Sequence, residues 1–219
     1  MLQVITPTGD RPEAWKLCQL WMARQDYAGP VAWHVVDDGR QPMPADFARD
    51  GYALHMHRLE PMAGNSQARN LLHLLDKINP RFPVVCWEDD DHYSPDWLET
   101  CERELRNCEL IGERHTRYFN VATGRGREMT NRAHASLCAT AMRGRALDVF
   151  RDILRKHSTR LDMELWRRCP GRLLDSHKVV GIKGLPGRGG IGVGHRGTFG
   201  EPMRLRDWIG SDAEAYGHG

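Results

Sequence analysis

The sequence predicts an α/β fold, a mostly parallel sheet flanked by helices with a smaller antiparallel portion after it. Three observations lead there. Short apolar runs alternate with segments of helical periodicity over the first 108 residues, the pattern of a parallel sheet built from strand–helix units. Three of those runs end in polar clusters, at residues 6–11, 37–38 and 88–91, and in such sheets ligands bind beyond the carboxyl ends of the strands. After residue 108 the alternation gives way to shorter strand-like runs around a glycine turn.

Residues 2–6 read as a buried strand that ends in Thr-Pro-Thr-Gly-Asp. Pro12 then stands where a helix begins, and Leu17, Cys18, Trp21 and Met22 follow at helical spacing. Residues 31–36 form a second strand that stops at Asp37-Asp38-Gly39, and 52–59 a third. Asn65 or Ser66 caps the next helix, whose positions Ala68, Leu71, Leu72, Leu75 and Ile78 share one face. Residues 83–87 are a fourth strand, and Ser94-Pro95-Asp96 opens a helix with Leu98, Cys101, Leu105 and Cys108 as its apolar stripe. Further on, 110–111 and 118–121 look like strands, Gly124-Arg125-Gly126 a turn, and 134–142 a strand. Residues 147–156 and 161–168 look helical, and the last forty residues, rich in glycine, read mostly as loop.

At 219 residues, 40% hydrophobic and 27% charged, the chain suits one domain with its own core. It is neither disordered nor membrane-like in composition. Its longest apolar runs fall far short of the ~20 residues of a membrane span, so none is expected, nor is a secretion signal. Six cysteines, at 18, 86, 101, 108, 138 and 169, form no C-x-x-C pair and no zinc spacing. They read as reduced core thiols of a cytoplasmic protein, or of the host cytoplasm if the chain is viral, rather than as disulfides. The net charge is only +2, yet residues 114–132 carry Arg114, His115, Arg117, Arg125, Arg127 and Arg132 against Glu128 alone. That stretch is either a charged surface hairpin or a face for an anionic partner.

Four consecutive acids, Glu88-Asp89-Asp90-Asp91, repel one another at the end of a buried strand unless a positive charge sits among them. A divalent cation suits them, because carboxylates are hard ligands for Mg2+ or Mn2+, ions that also bridge the phosphates of a nucleotide diphosphate. A solvated acidic turn needing no metal is the alternative.

The blocks Val4-Ile5-Thr6-Pro7-Thr8, Val35-Val36-Asp37-Asp38-Gly39, Ala68-Arg69-Asn70 and Glu88-Asp89-Asp90-Asp91 with Pro95 resemble, in order and spacing, the signatures of family-two glycosyltransferases. The resemblance implies the GT-A fold. Residues 1–108 would be the half that binds the nucleotide-sugar donor, most often a UDP-sugar. Residues 109–219 would be the acceptor-binding, catalytic half of the same domain, with a glycine-rich loop over 184–200. Thr6, Pro7 and Arg11 match the loop bordering the nucleotide, Asp38 or Asp37 the acid that reads the base, and Arg69 a basic residue near base and phosphates. Asp90 matches the second acid of the D-x-D motif, the principal metal contact, with Asp91 beside it. Glu88 stands where the family has the first Asp; alternatively, Asp89 and Asp91 form the D-x-D.

Inverting sugar transfer needs a general base for the acceptor hydroxyl. Leu161-Asp162-Met163-Glu164-Leu165-Trp166 resembles the family's E-D-x-x-x-W, giving Asp162 as base and Glu164 as alternate. The two point about 200° apart on a helix, so both cannot line one cleft. Asp162 as a plain helix cap is the other reading. Some GT-A enzymes complete the metal shell with a late histidine, for which His195 is the candidate, unless it is merely polar surface. Gly187 to Gly192 fits G-x-G-x-x-G literally but lacks the strand before and helix after that a dinucleotide site requires. His55, His57 and His73 read as structural or surface residues, and the tryptophans as packing, with Trp87 and Trp97 nearest the acids. The acceptor is unnamed by sequence; the arginine stretch suits a polyanion, such as nucleic acid with a hydroxymethylated base. A nucleotidyltransferase fits less well, having a more glycine-rich loop after the first strand. An inactive sugar-binding relative is the non-enzymatic alternative.

Overall fold

The computed structural model describes residues 1–190, 192, 194 and 199–218. The first half alternates as the periodicity requires: β1 (Leu2–Thr8), α1 (Pro12–Ala23), β2 (Val31–Asp37), β3 (Tyr52–Arg58), α2 (Gln67–Leu75), β4 (Val84–Cys86), β5 (His92–Tyr93) and α3 (Trp97–Glu104). Then come β6 (Leu110–Glu113), β7 (His115–Asn120), β8 (Arg125–Thr130), β9 (Thr140–Met142), α4 (Arg145–Lys156) and α5 (Leu161–Arg168). The chain closes with β10 (Arg172–Leu174), β11 (Val179–Lys183), β12 (Glu201–Pro202) and α6 (Arg206–Ile209).

The fold is α/β with a mostly parallel main sheet, in agreement with the sequence. Its order is β10-β6-β9-β4-β1-β2-β3. β1 pairs in parallel with both β2 and β4, β2 with β3, and β10 with β6, while β9 runs antiparallel between β4 and β6. A second sheet, β12-β8-β7-β11-β5, is antiparallel except where β11 lies parallel to β7.

Two apolar layers sandwich the main sheet. One holds Trp15, Cys18 and Trp21 of α1, Leu98 and Cys101 of α3, and Trp33 and Trp87. The other holds Leu71 and Leu74 of α2, Phe150 and Ile153 of α4, and Leu165 of α5. Each such side chain, fully buried, contributes about 1.5–3 kcal/mol, which holds the helices to both faces. Trp87 and Trp97 belong to this packing, Trp87 stacked 3.6 Å from Tyr93. All six cysteines are free thiols. None of the described helices is long and apolar enough to cross a membrane.

The structure corrects four local expectations. Among the described residues the C-terminal stretch holds more than loop: Val179 to Lys183 is a buried strand flanked by β7 and β5, because Val-Val-Gly-Ile is an apolar run short enough to span one sheet. The turn between β7 and β8 falls at residues 121–124 rather than 124–126, with Gly124 at φ 62° closing it. Only Thr140 to Met142 of the 134–142 stretch is strand; a 3-10 turn over Leu137–Ala139 precedes it. α3 begins at Trp97, since the Ser94 hydroxyl is spent on the Asp96 carboxylate instead of capping.

Four histidines gather where β2, β3 and α2 meet. His34 of β2 stacks on His55 of β3 (centroids 4.7 Å apart), its Nδ1 lies 3.4 Å from His57 Nε2, and His57 meets His73 of α2 edge-on. Burial, then His55 and His57, lower the His34 pKa to about 4, whereas an unfolded histidine titrates near 6.5. The unfolded chain therefore binds more protons between those values, and the stability that neutral His34 confers is lost as pH falls from 6.5 toward 4. Between pH 7 and 4.5 the urea midpoint of wild type should fall relative to that of His34→Leu; a constant separation would show that His34 carries no such linkage.

Candidate functional site

β1 has β2 on one side and β4 on the other, so the strand order reverses there and the carboxyl ends of β1 and β4 open a crevice. The cleft formed has a volume of about 630 Å3. Pro7 and Thr8 come from the end of β1, Glu88, Asp89 and Asp90 from beyond β4, Ser66, Gln67 and Asn70 from the start of α2, and Asp162 from α5 opposite.

The four acids are tied to two cations delivered from distant parts of the chain. Arg11, just ahead of α1, donates to Asp89 Oδ1 at 2.7 Å and Asp90 Oδ2 at 2.6 Å. Thr8 donates to Asp89 Oδ2 at 2.7 Å. Lys183, at the end of β11, places Nζ 2.9 Å from Asp91 Oδ1, 3.5 Å from Asp90 Oδ2 and 3.7 Å from Glu88 Oε2. The Ile182 amide also donates to Asp91 Oδ1. Burial favours a neutral Lys183 amine, but Asp90, Asp91 and Glu88 outweigh it and hold the ammonium charged. Burial likewise pushes Glu88, Asp89 and Asp91 above the usual carboxylate range. At Asp90 burial is overcome by Arg11 and Lys183, which hold it well below that range.

Four carboxyl groups thus share two cations, so the acids outnumber their counter-charges. Glu88, Asp90 and Asp91 each bring an oxygen within 4.8 Å of the others. Asp91 Oδ2 is buried with no hydrogen-bond partner among the described residues. Hard oxygen donors in excess of their counter-charges and an orphaned carboxylate oxygen fit one divalent cation, with Lys183 holding the group together beside it.

The remaining expected residues divide clearly. Asp37 is fully buried and structural: it accepts the Gly39 and Met43 amides at 2.8 Å each and pairs with Arg58. Asp38 accepts from Arg69 at 2.9 Å and from Arg188, which lines the cleft. Burial would raise Asp38, but hydrogen bonds from Arg188, Ser66 and Asn70 keep it below the usual carboxylate range. Thr6 faces inward, its hydroxyl accepting the Trp33 indole N–H at 2.9 Å, and Thr8 takes the cleft position. Asp162 lines the cleft with one carboxylate oxygen on the Met163 amide. Glu164 points elsewhere, paired with Arg167 at 2.6 Å and Arg168 at 3.5 Å. His195 lies outside the described residues. Of the arginine stretch, Arg117 is held by Glu128 and lies over the Trp208 ring, and Arg125 donates to the Gly200 carbonyl. Arg114, Arg127 and Arg132 are exposed.

Sequence reading missed Lys183 and Arg188. The only signal for Lys183 was a lysine closing an apolar run, Val179-Val180-Gly181-Ile182, within a segment read as loop. Arg188 sits in the glycine-rich segment, where Gly187 (φ 108°) crosses the Asp10 carbonyl so closely that a Cβ would come within 2.4 Å of it. Only glycine permits that crossing, and the crossing brings Arg188 onto Asp38.

No protein-family model matches the chain, and no curated protein matches it in sequence. Solved structures do match. The crystal structure of S. aureus TarS, a GT-A-type glycosyltransferase, aligns with a TM-score of 0.63 at 14% identity, over 83% of this chain and 36% of that one. TarS 1-349 aligns in complex with UDP (TM-score 0.61, 15% identity) and without it (0.57, 16%), each over 83% of this chain and 60% of TarS 1-349. The fold is glycosyltransferase-like. This chain spans 36% to 60% of the length of those structures.

The Lys183 pairing yields a direct test. Removing one partner of a buried ion pair costs about 3–5 kcal/mol because the opposite charge stays buried. Lys183→Met should lose that much in urea unfolding in metal-free buffer; a loss below about 1 kcal/mol would mean that the acids do not depend on the ammonium.

Proposed function

We propose that this protein is a glycosyltransferase that moves a sugar from a nucleotide-diphosphate sugar, a UDP-sugar, to an acceptor hydroxyl with inversion. One observation carries the reading: at the switch point of a GT-A-type sheet, the β1 loop, the acids after β4 and Asp162 opposite them line one cleft. The UDP complex of a structure with the same fold adds support for the donor class.

The chain's own groups have separable tasks. Asp38, held ionised by its arginines, is suited to accept the base N–H, with Arg69 beside it. For that, Arg188 must leave Asp38 or shift aside as donor enters, which the surrounding glycines allow. Arg11 and Lys183 stand where a diphosphate would lie against the acids and can turn to its oxygens. Asp90 with Glu88 and Asp91 would hold Mg2+ or Mn2+, which would supply positive charge against the departing diphosphate. Asp162, with one oxygen already satisfied by its own helix, has the other available to take the acceptor proton, the task of a general base. Exposed Arg114, Arg127 and Arg132 suit an acceptor rich in phosphate, nucleic acid included.

Calorimetric titration with UDP, with and without Mn2+, tests the donor site. Wild type should bind in a metal-dependent manner and Asp90→Asn should not; absence of UDP binding by wild type with metal present would remove the reading. Asp162→Asn should bind UDP as wild type does, yet lose about 10²- to 10⁴-fold in UDP-sugar turnover. Retention of a duplex DNA on wild type should weaken steeply between 50 and 200 mM salt, about in proportion to the phosphates contacted. Salt-independent retention, or none, would exclude the polyanionic acceptor.

A further inference from the structure

Away from the cleft, on the β7–β8 hairpin and the loop before β11, His115, Glu128 and His177 converge. We propose that they form a transition-metal site, with Zn2+ the best-suited ion. Glu128 Oε1 lies 3.3 Å from His115 Nδ1 and 3.3 Å from His177 Nε2. Ligand atoms bonded to tetrahedral Zn2+ at 2.0–2.1 Å stand about 3.3–3.4 Å from one another, so both pairs already have the spacing the ion imposes. Two histidines and one glutamate leave a fourth position for water or substrate.

The outer contacts point the same way. His115 Nε2 lies 2.6 Å from Asp175 Oδ1, the carboxylate–histidine arrangement that fixes the tautomer of a metal ligand. With its proton on Nε2, His115 turns the Nδ1 lone pair toward a carboxylate oxygen at 3.3 Å. Two acceptors then face each other. The Thr130 hydroxyl, 3.5 Å from Nδ1, can donate to the ring but does not relieve that opposition; a second proton on His115 or a cation between the groups does. Arg117 occupies Glu128 Oε2 at 2.8 Å, which leaves Oε1 for the ion. The loop bearing His177 is fixed on both sides of it, because buried Glu113 accepts from the Ser176 hydroxyl and the Lys178 and Val179 amides. The ligands are thus presented on anchored backbone.

The site is independent of the donor cleft, and its test does not use activity. Metal-stripped wild type, titrated calorimetrically with zinc chloride at pH 7.5, should take up one equivalent more than His177→Ala. Asp175→Asn should bind that equivalent at least about 10-fold more weakly, the usual loss when a histidine's outer carboxylate is removed. Both substituted side chains are exposed, 41% for His177 and 79% for Asp175, so the fold should survive. Imidazole ¹⁵N spectra of wild type give a second readout: with zinc, His115 should carry one proton, on Nε2. Equal zinc stoichiometry in wild type and His177→Ala, or a doubly protonated His115 in excess zinc, would overturn the proposal.

Discussion

The molecule is organised around like-charge repulsion at one strand end. Four carboxylates follow β4 without a break, and burial makes their mutual repulsion severe. What contains it is contact with Arg11, from the first loop, and Lys183, from the far end of the second sheet. Because the counter-charges come from segments 78 and 92 positions away in sequence, satisfying the acids closes the tertiary fold. Electrostatics therefore locks what hydrophobic burial assembles.

The second sheet matters through the same contact. β11 carries Lys183 and pairs with β5, the continuation of the acid turn itself. The C-terminal segment then fastens this part to α1: Asp212 meets Arg24 and His92, and the Tyr216 hydroxyl accepts the Trp21 indole N–H at 2.7 Å. Elements far apart in sequence thus converge behind the cleft, and among the described residues the glycine-rich segment meets it through Arg188 on Asp38, the Arg188 amide on the Asp10 carbonyl and Asn120 on the Gly194 carbonyl.

Much of this was legible in the residues. Periodicity gave the four parallel strands and the helices between them because each has one apolar period and a polar stop, as in Val31–Asp37 and Gln67–Leu75. The acid cluster was visible because consecutive carboxylates demand an explanation. Pairing across sheets was not. Nothing local distinguishes Lys183 from a surface lysine, or Asp37, which ties down its own loop, from Asp38 next to it. Likewise the arginine stretch read as one basic face, yet cross-strand register sets Arg117 directly against Glu128 and removes it from that face. Short-range pattern encodes elements; which charges meet is decided by topology.

The passage between β4 and β5 has an evolutionary consequence. Cys86 ends a strand of the main sheet and His92 begins one of the other, so five residues both bridge the sheets and carry all four acids. An added or deleted residue there would rotate the carboxylates off Arg11 and Lys183 and shift the sheets' mutual register together. The 121–124 turn is tied at its ends, the Val121 amide to the Lys183 carbonyl and the Gly124 carbonyl to the Met203 amide, but exposed Ala122 and Thr123 between them carry none of the acids and no sheet crossing. Length variation among descendants of this sequence should therefore gather at the hairpin tip, while the acid bridge stays fixed in length even where its residues change.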